Sequence, residues 1–222
     1  MSKVIEFGQH SFRLLPDRAV FWPAANTLIV ADVHLGKAAT FRELGLPVPG
    51  GTTQNDLCRL TTLLESTSAS RLVVLGDLFH ARPGMNDQLF TQLIHWRSLH
   101  PRLDWVLVTG NHDAHAGPAP EELGLACTDQ LDEAGLRFVH HPPESPAMPT
   151  HINPTLCGHV HPGARLSDFD GSGVTVPCFA MTASRLILPA FGRFTGCSRQ
   201  APAQRQRLFP VAAGKVLELP GR

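Results

Sequence analysis

The stretch NTLIVADVHLGKA, residues 26–38, carries four apolar residues, Leu28 to Ala31, straight into Asp32 and His34. A short unbroken apolar run reads as a strand buried on both faces. An acid and an imidazole at its tip resist burial unless something there uses them. The same junction recurs along the chain. RLVVLG (71–76) leads into Asp77, and DWVLVTG (104–110) leads into Asn111, His112 and Asp113. LRFV (136–139) leads into His140 and His141, and TLCG (155–158) into His159 and His161.

Between these runs lie helical patterns. TTQNDLCRLTTLLES (52–66) spaces Leu57, Leu60, Leu63 and Leu64 along one helix face, with Thr52 or Thr53 as the cap. NDQLFTQLIHWRSLH (86–100) does the same with Leu89, Leu93 and Trp96, starts near Asn86 and stops at Pro101. A sixth apolar run, GVTVPCFAM (173–181), follows the last junction, and a hairpin turning at PAAN (23–26) adds edge strands. The order β-α-β-α-β followed mostly by strands predicts a layered α/β domain whose first half is parallel.

The 222 residues fit one domain, 1–222, with a core over about 20–197 and a C-terminal tail over about 198–222. With 43% hydrophobic and 17% charged residues the chain reads as soluble and globular. Nineteen basic and nineteen acidic side chains cancel, so net charge announces no nucleic-acid partner. Seven of the bases follow position 184 against one acid, which reads as a solvated basic tail or, alternatively, as one basic face. Five cysteines, none in a C-x-x-C pair, read as reduced thiols of a cytoplasmic protein, and no apolar run is long enough to span a bilayer.

In an open α/β sheet the carboxyl ends of the strands share one edge, so the five junctions deliver Asp, His and Asn to one small volume. Such a cluster is unfavourable unless a cation neutralises the acids and uses the ring lone pairs. Oxygen and nitrogen donors without thiolates favour Mn²⁺, Fe or Zn²⁺. Residues i and i+2, as in D-x-H and in GHVH, leave a strand on the same side and suit one ion. Glycines before Asp77, Asn111 and His159 fit turns where backbone approaches a ligand closely.

The blocks DVH, GD, GNHD, a strand-end His and GHVH, in that order over residues 32–161, resemble those of the calcineurin-like binuclear metallophosphoesterases. The resemblance implies a two-sheet β-sandwich flanked by helices (αββα), with two metal ions at the carboxyl ends of the strands. It implies that Asp32, His34 and His161 hold the first ion, that Asn111, His140 and His159 hold the second, and that Asp77 bridges them. His140, directly after its strand, matches the family position better than His141. His112 becomes the non-ligating histidine near the leaving group, with Asp113 as a candidate for the carboxylate that orients it.

Two further stretches, GKAATFRELGLPVPGGTTQNDLCRL (36–60) and LPAFGRFTGC (188–197), resemble the bacterial ligase-associated DNA-damage-response endonucleases. Cys197 stands where that pattern has glycine. This resemblance implies a Mn²⁺-dependent phosphodiesterase acting on DNA, functionally associated with a ligase, a helicase and an exonuclease. A phosphodiesterase for small or cyclic nucleotides is the alternative, and a non-catalytic scaffold is a third reading that the complete ligand set disfavours. Arg42, Arg82 and Arg165 are candidate phosphate contacts, with Arg185 and Arg193 beside the C-terminal stretch, and 36–51 reads as a mobile lid carrying Arg42. Contacts of that kind predict binding without strong sequence preference, and single-stranded or flexible DNA enters a two-metal cleft more easily than a stiff duplex. His80 either supports a ligand or caps its loop. His115 and His151 read as loop residues, His95 and His100 as surface residues, and Cys157 as a small buried strand residue.

Overall fold

Alternate residues of three neighbouring strands face two different cores. Leu28, Val30, Leu72, Val74, Trp105 and Leu107 pack with leucines of the two long helices, whereas Ile29, Val73, Leu75, Val106 and Val108 meet Phe138, Leu156, Phe179 and Phe209 of a second sheet. A strand with both faces covered has no polar side, which is why these segments read as continuous apolar runs. The computed structural model describes residues 1–143, 153–167, 172–199 and 206–219; His151 lies outside them.

The first sheet has seven strands in chain order: β1 (Lys3–Phe7), β2 (His10–Leu15), β3 (Ala19–Trp22), β4 (Thr27–Val30), β5 (Arg71–Leu75), β6 (Asp104–Val108) and β7 (Ala126–Thr128). Strands β1 to β4 are antiparallel and β4 to β7 are parallel. The second sheet contains β8 (Leu131–Glu133), β9 (Leu136–Phe138), β10 (Thr155–Cys157), β11 (Pro162–Ser167), β12 (Gly173–Met181), β13 (Arg185–Ile187) and β14 (Ser198–Arg199). Strand β15 (Arg207–Ala212) pairs with β12 and with β16 (Lys215–Val216). Helices α1 (Lys37–Glu43), α2 (Thr52–Thr67), α3 (Asp87–Leu99) and α4 (Asn111–Ala116) complete a two-sheet α/β architecture flanked by helices.

The hairpin at 23–26 is present: β3 and β4 join through a 3₁₀ turn that ends on Asn26 in the left-handed region. Asn86 caps α3, its side-chain oxygen accepting the Leu89 N–H at 3.0 Å. Helix α2 differs from the expectation, because it begins at Thr52 behind Gly51 and has no side-chain cap. The expected solvated tail is corrected as well. Strand β15 buries Leu208 and Phe209, and its long-range pairing with β12 draws residues 207–216 into the sheet. All five cysteines are free thiols, and among the described residues no helix is long and apolar enough to cross a membrane.

Candidate metal centre

The parallel strands β4, β5, β6, β9 and β10 stop at the same edge, and their tips interlock. Amides of Asp32 and His34 donate to the carbonyls of Gly76 and Asp77 at 3.1 and 2.8 Å, so strand pairing continues irregularly beyond β4 and β5. Across the sheets, the His159 N–H donates to Asp32 Oδ2 at 3.0 Å, and His140 Nδ1 lies 3.0 Å from the Leu75 carbonyl.

Asp32, His34, Asp77, His159 and His161 all have left-handed backbones, with φ of 54°, 53°, 52°, 67° and 48°. For residues with a Cβ that conformation costs of order 1 kcal/mol each. It also corrects the geometry behind the i, i+2 argument: β4 has ended before Asp32, so a pair of left-handed residues flanking Val33, rather than the pleat of a strand, brings the two side chains together. Three glycines make room for the cluster, and a Cβ on one of them, Gly110, would strike Asp77 Oδ1. A Cβ on Gly158 would lie 2.7 Å from Asp32 Oδ2 and 2.8 Å from Ala31 Cβ, and one on Gly76 would lie 2.7 Å from His140 Cβ.

The candidate donor atoms form two groups around Asp77. On one side His161 Nε2 lies 3.3 Å from Asp32 Oδ1 and 3.5 Å from His34 Nε2. On the other, His140 Nε2 lies 3.0 Å from Asn111 Oδ1 and 3.1 Å from His159 Nδ1. Between them Asp77 Oδ2 is 3.9 Å from His34 Nε2 and 3.4 Å from His140 Nε2. Donors about 2.1 Å from a common ion sit about 3.0–3.4 Å apart, so the donor set fits two divalent cations. His141 is exposed and its ring is tilted 45° to that of His159 with centroids 4.1 Å apart, close enough to His140 and His159 to share a cation with them, whereas His140 is buried and also reaches Asp32 and Asp77.

Electrostatics follow from burial. Burial raises the Asp77 carboxyl, but the hydrogen bond and charge of His140 and the His112 amide outweigh it and bring the group down to about 2. Burial holds His34 down at about 2, against the pull of Asp77, and so keeps its ring lone pairs available to a cation. Burial pushes the Cys157 thiol up to about 12, which removes it as a thiolate ligand.

His112 sits beside the first group, its ring centroid 4.9 Å from that of His34. Its Nδ1 meets the His80 carbonyl at 2.6 Å. Asp113, the expected orienting carboxylate, is engaged elsewhere: Oδ1 accepts from Phe79 N–H and Oδ2 from Gly110 N–H, both at 2.9 Å, so it fixes the turn into α4. Sequence reading left the role of His80 open, and the structure gives it two contacts. Its carbonyl meets His112, and its Nδ1 lies 3.3 Å from His34 Nδ1, on the ring edge opposite the ligating nitrogen. The ring stacks on His112 with centroids 4.9 Å apart. Residues i and i+3 after Asp77 carried that signal only weakly.

The candidate phosphate contacts are more scattered. Arg42 lies on α1 with Nη1 3.5 and 3.4 Å from the carbonyls of Val48 and Pro49. Arg82 is exposed on a 3₁₀ turn beyond the Asp77 loop, and Arg165 is exposed on β11 with Nε 3.3 Å from Ser167 Oγ. Arg185 reaches the Pro143 carbonyl, and Arg193 is mostly exposed. Asp56 and Arg59 have no part in the sequence reading, yet Arg59 bonds Asp56, the carbonyls of Asp17 and Phe191, and stacks 4.0 Å over the Phe191 ring. This clamp holds residues 190–192, whose amides in turn bond the Ala31 and Asp32 carbonyls.

Among solved structures the chain is similar to the Pseudomonas putida nuclease MPE, with 35% identity over 99% of this chain and 100% of that one and a TM-score of 0.85. It also aligns with Yfce, a phosphoesterase from E. coli, at 14% identity over 87% of this chain and 97% of that one, with a TM-score of 0.40. No family model and no curated protein matches it.

Proposed function

The chain belongs to the metallophosphoesterase-type nuclease family, hydrolases of phosphoester bonds, and we propose that it is a Mn²⁺-dependent endonuclease that cuts DNA phosphodiesters. The observation that carries this reading is the division of seven donors into two groups about Asp77, at spacings a pair of cations can share. In this reading Asp32, His34 and His161 hold one cation, Asn111, His140 and His159 the other, and Asp77 both; Fe or Zn²⁺ suits the same donors. When bound, such a pair supplies an acidified water and positive charge for the phosphate oxygens.

The protein's own residues do the rest. The left-handed turns at 32, 34, 77, 159 and 161 fix the donors before any substrate arrives, so little reorganisation remains. His112, held at Nδ1 by the His80 carbonyl, presents Nε2 as the atom that passes a proton to the departing alkoxide. Burial of Asp32 and Asp77 keeps bulk water from their carboxylates. Arg42, Arg82 and Arg165 bind flanking phosphates and read no sequence, which suits single-stranded or flexible DNA. The unpaired cysteines suit a cytoplasmic enzyme, and the sequence resemblance implies a role in DNA repair alongside a ligase, a helicase and an exonuclease.

The test uses closed circular single-stranded DNA, Mn²⁺ and a His112→Ala control. Linear product from the wild type but not from the control supports endonuclease action at this site. Intact circles beside hydrolysis of a small aryl phosphodiester would replace DNA with a small-molecule substrate.

A further inference from the structure

The cores bury phenylalanines at 7, 12, 21, 79, 138, 179, 191 and 209. Phe41 and Phe194 belong to neither core; both are half-buried and lie on different elements, one on α1 and one in the turn after Gly192. They meet edge to face with centroids 5.6 Å apart, and Phe41 meets His80 the same way at 6.0 Å. His80 then stacks on His112. A line of rings thus runs from the rim, Phe194 to Phe41 to His80 to His112, and ends at the metal centre.

Each outer phenylalanine has an arginine as chain neighbour, Phe41-Arg42 and Arg193-Phe194, and the Arg193 side chain is 65% exposed. The segment after Phe41 also turns apolar side chains to solvent, with Leu44 70% and Leu46 50% exposed. Proteins that hold single strands without reading sequence combine cations for the backbone with aromatic faces on which bases stack. Here the cations alone are a weak attraction, since the chain carries no net charge. Paired bases inside a duplex offer no free face to such rings, whereas an unpaired strand does.

We propose that Phe41 and Phe194 form a stacking platform for the nucleobases next to the scissile phosphate, and that it, rather than the metal centre, selects unpaired DNA. The inference rests on the nuclease reading and adds the residues that choose its substrate. Arg42 and Arg193 hold the phosphates between stacked bases.

The experiment measures kcat and KM with Mn²⁺ on a short single-stranded oligonucleotide and on an abasic strand of equal length, for wild type, Phe41→Ala, Phe194→Ala and Phe194→Trp. Loss of one stacked base corresponds to about a tenfold rise in KM. We expect that rise for either alanine variant on the normal strand, no further rise on the abasic strand, and recovery with tryptophan. Equal KM for wild type and alanine variants on the normal strand would overturn the platform, as would an equal penalty on both strands. If the wild type cuts neither strand yet hydrolyses a small diester, the nuclease reading falls first; if it cuts and the variants follow it, only the platform falls.

Discussion

Gly76 is the residue on which the His140 side of the candidate metal centre leans, although it offers no donor itself. Its φ is +75°, and a Cβ there would lie 2.7 Å from His140 Cβ, closer still to Cγ and Nδ1, where ordinary contacts are 3.4–4 Å. His140 cannot simply swing away: its Nδ1 is bonded to the Leu75 carbonyl and its Nε2 faces Asn111, Asp77 and His159. Gly76→Ala must therefore push the ring by about 0.7 Å or more, beyond the ~0.2 Å tolerance of a metal–ligand bond. The left-handed backbone costs about 1–2 kcal/mol and the overpacking about 1–3 kcal/mol, for a total of about 2–5 kcal/mol. The variant should bind one Mn²⁺ per chain where the wild type binds two, by equilibrium dialysis and elemental analysis. In a His140→Ala background the same substitution should lose part of its overpacking cost, because the ring it strikes is gone while the Cβ 2.7 Å away remains. Two tightly held ions in Gly76→Ala, or an undiminished cost in the His140→Ala background, would refute this account.

Other outcomes follow from the same geometry. Chelating the metals should lower the melting temperature and Mn²⁺ should restore it, since an ion at a hundred times its Kd contributes about 2.7 kcal/mol per site; calorimetry with and without chelator checks this. Arg59→Ala removes three hydrogen-bonded contacts and a ring stack from a partly buried position and leaves Asp56 buried without its cation, so a loss of about 3 kcal/mol in urea unfolding is expected, with Arg59→Lys only a partial rescue. Burial pushes the Asp113 carboxyl up to about 6 despite the Phe79 and Gly110 amides. Between its ordinary value and about pH 6 the folded, metal-free protein therefore binds more protons there than the unfolded chain, so this group's stabilisation is present at low pH and falls as pH rises, by up to about 3 kcal/mol. Asp113→Asn should flatten that part of the stability profile, measured by denaturant unfolding from pH 4 to 7.

How much of this was legible depended on the range of the interactions. Strands β4, β5 and β6 could be read because both their faces are buried, and the clustering of the candidate donors because each follows its strand within a few residues. Strand β15 was taken for tail because its arginine-rich approach and Pro210 hide a pairing of four residues with β12 far back in the chain. The Arg59 clamp was invisible for a similar reason, as it joins positions 59 and 191. The family resemblance also made Asp113 a candidate for orienting its neighbour His112, but that carboxylate accepts from the amides of Phe79 and Gly110. The left-handed turns carry no residue-type signal, because aspartate and histidine adopt them here only under the constraint of their surroundings.

The most direct test of the two-cation centre is anomalous diffraction from crystals grown with Mn²⁺. The account predicts two peaks about 3.5–4 Å apart, one among Asp32, His34 and His161, one among Asn111, His140 and His159, with Asp77 touching both. A single peak, or a peak among His34, His80 and His112, would contradict it.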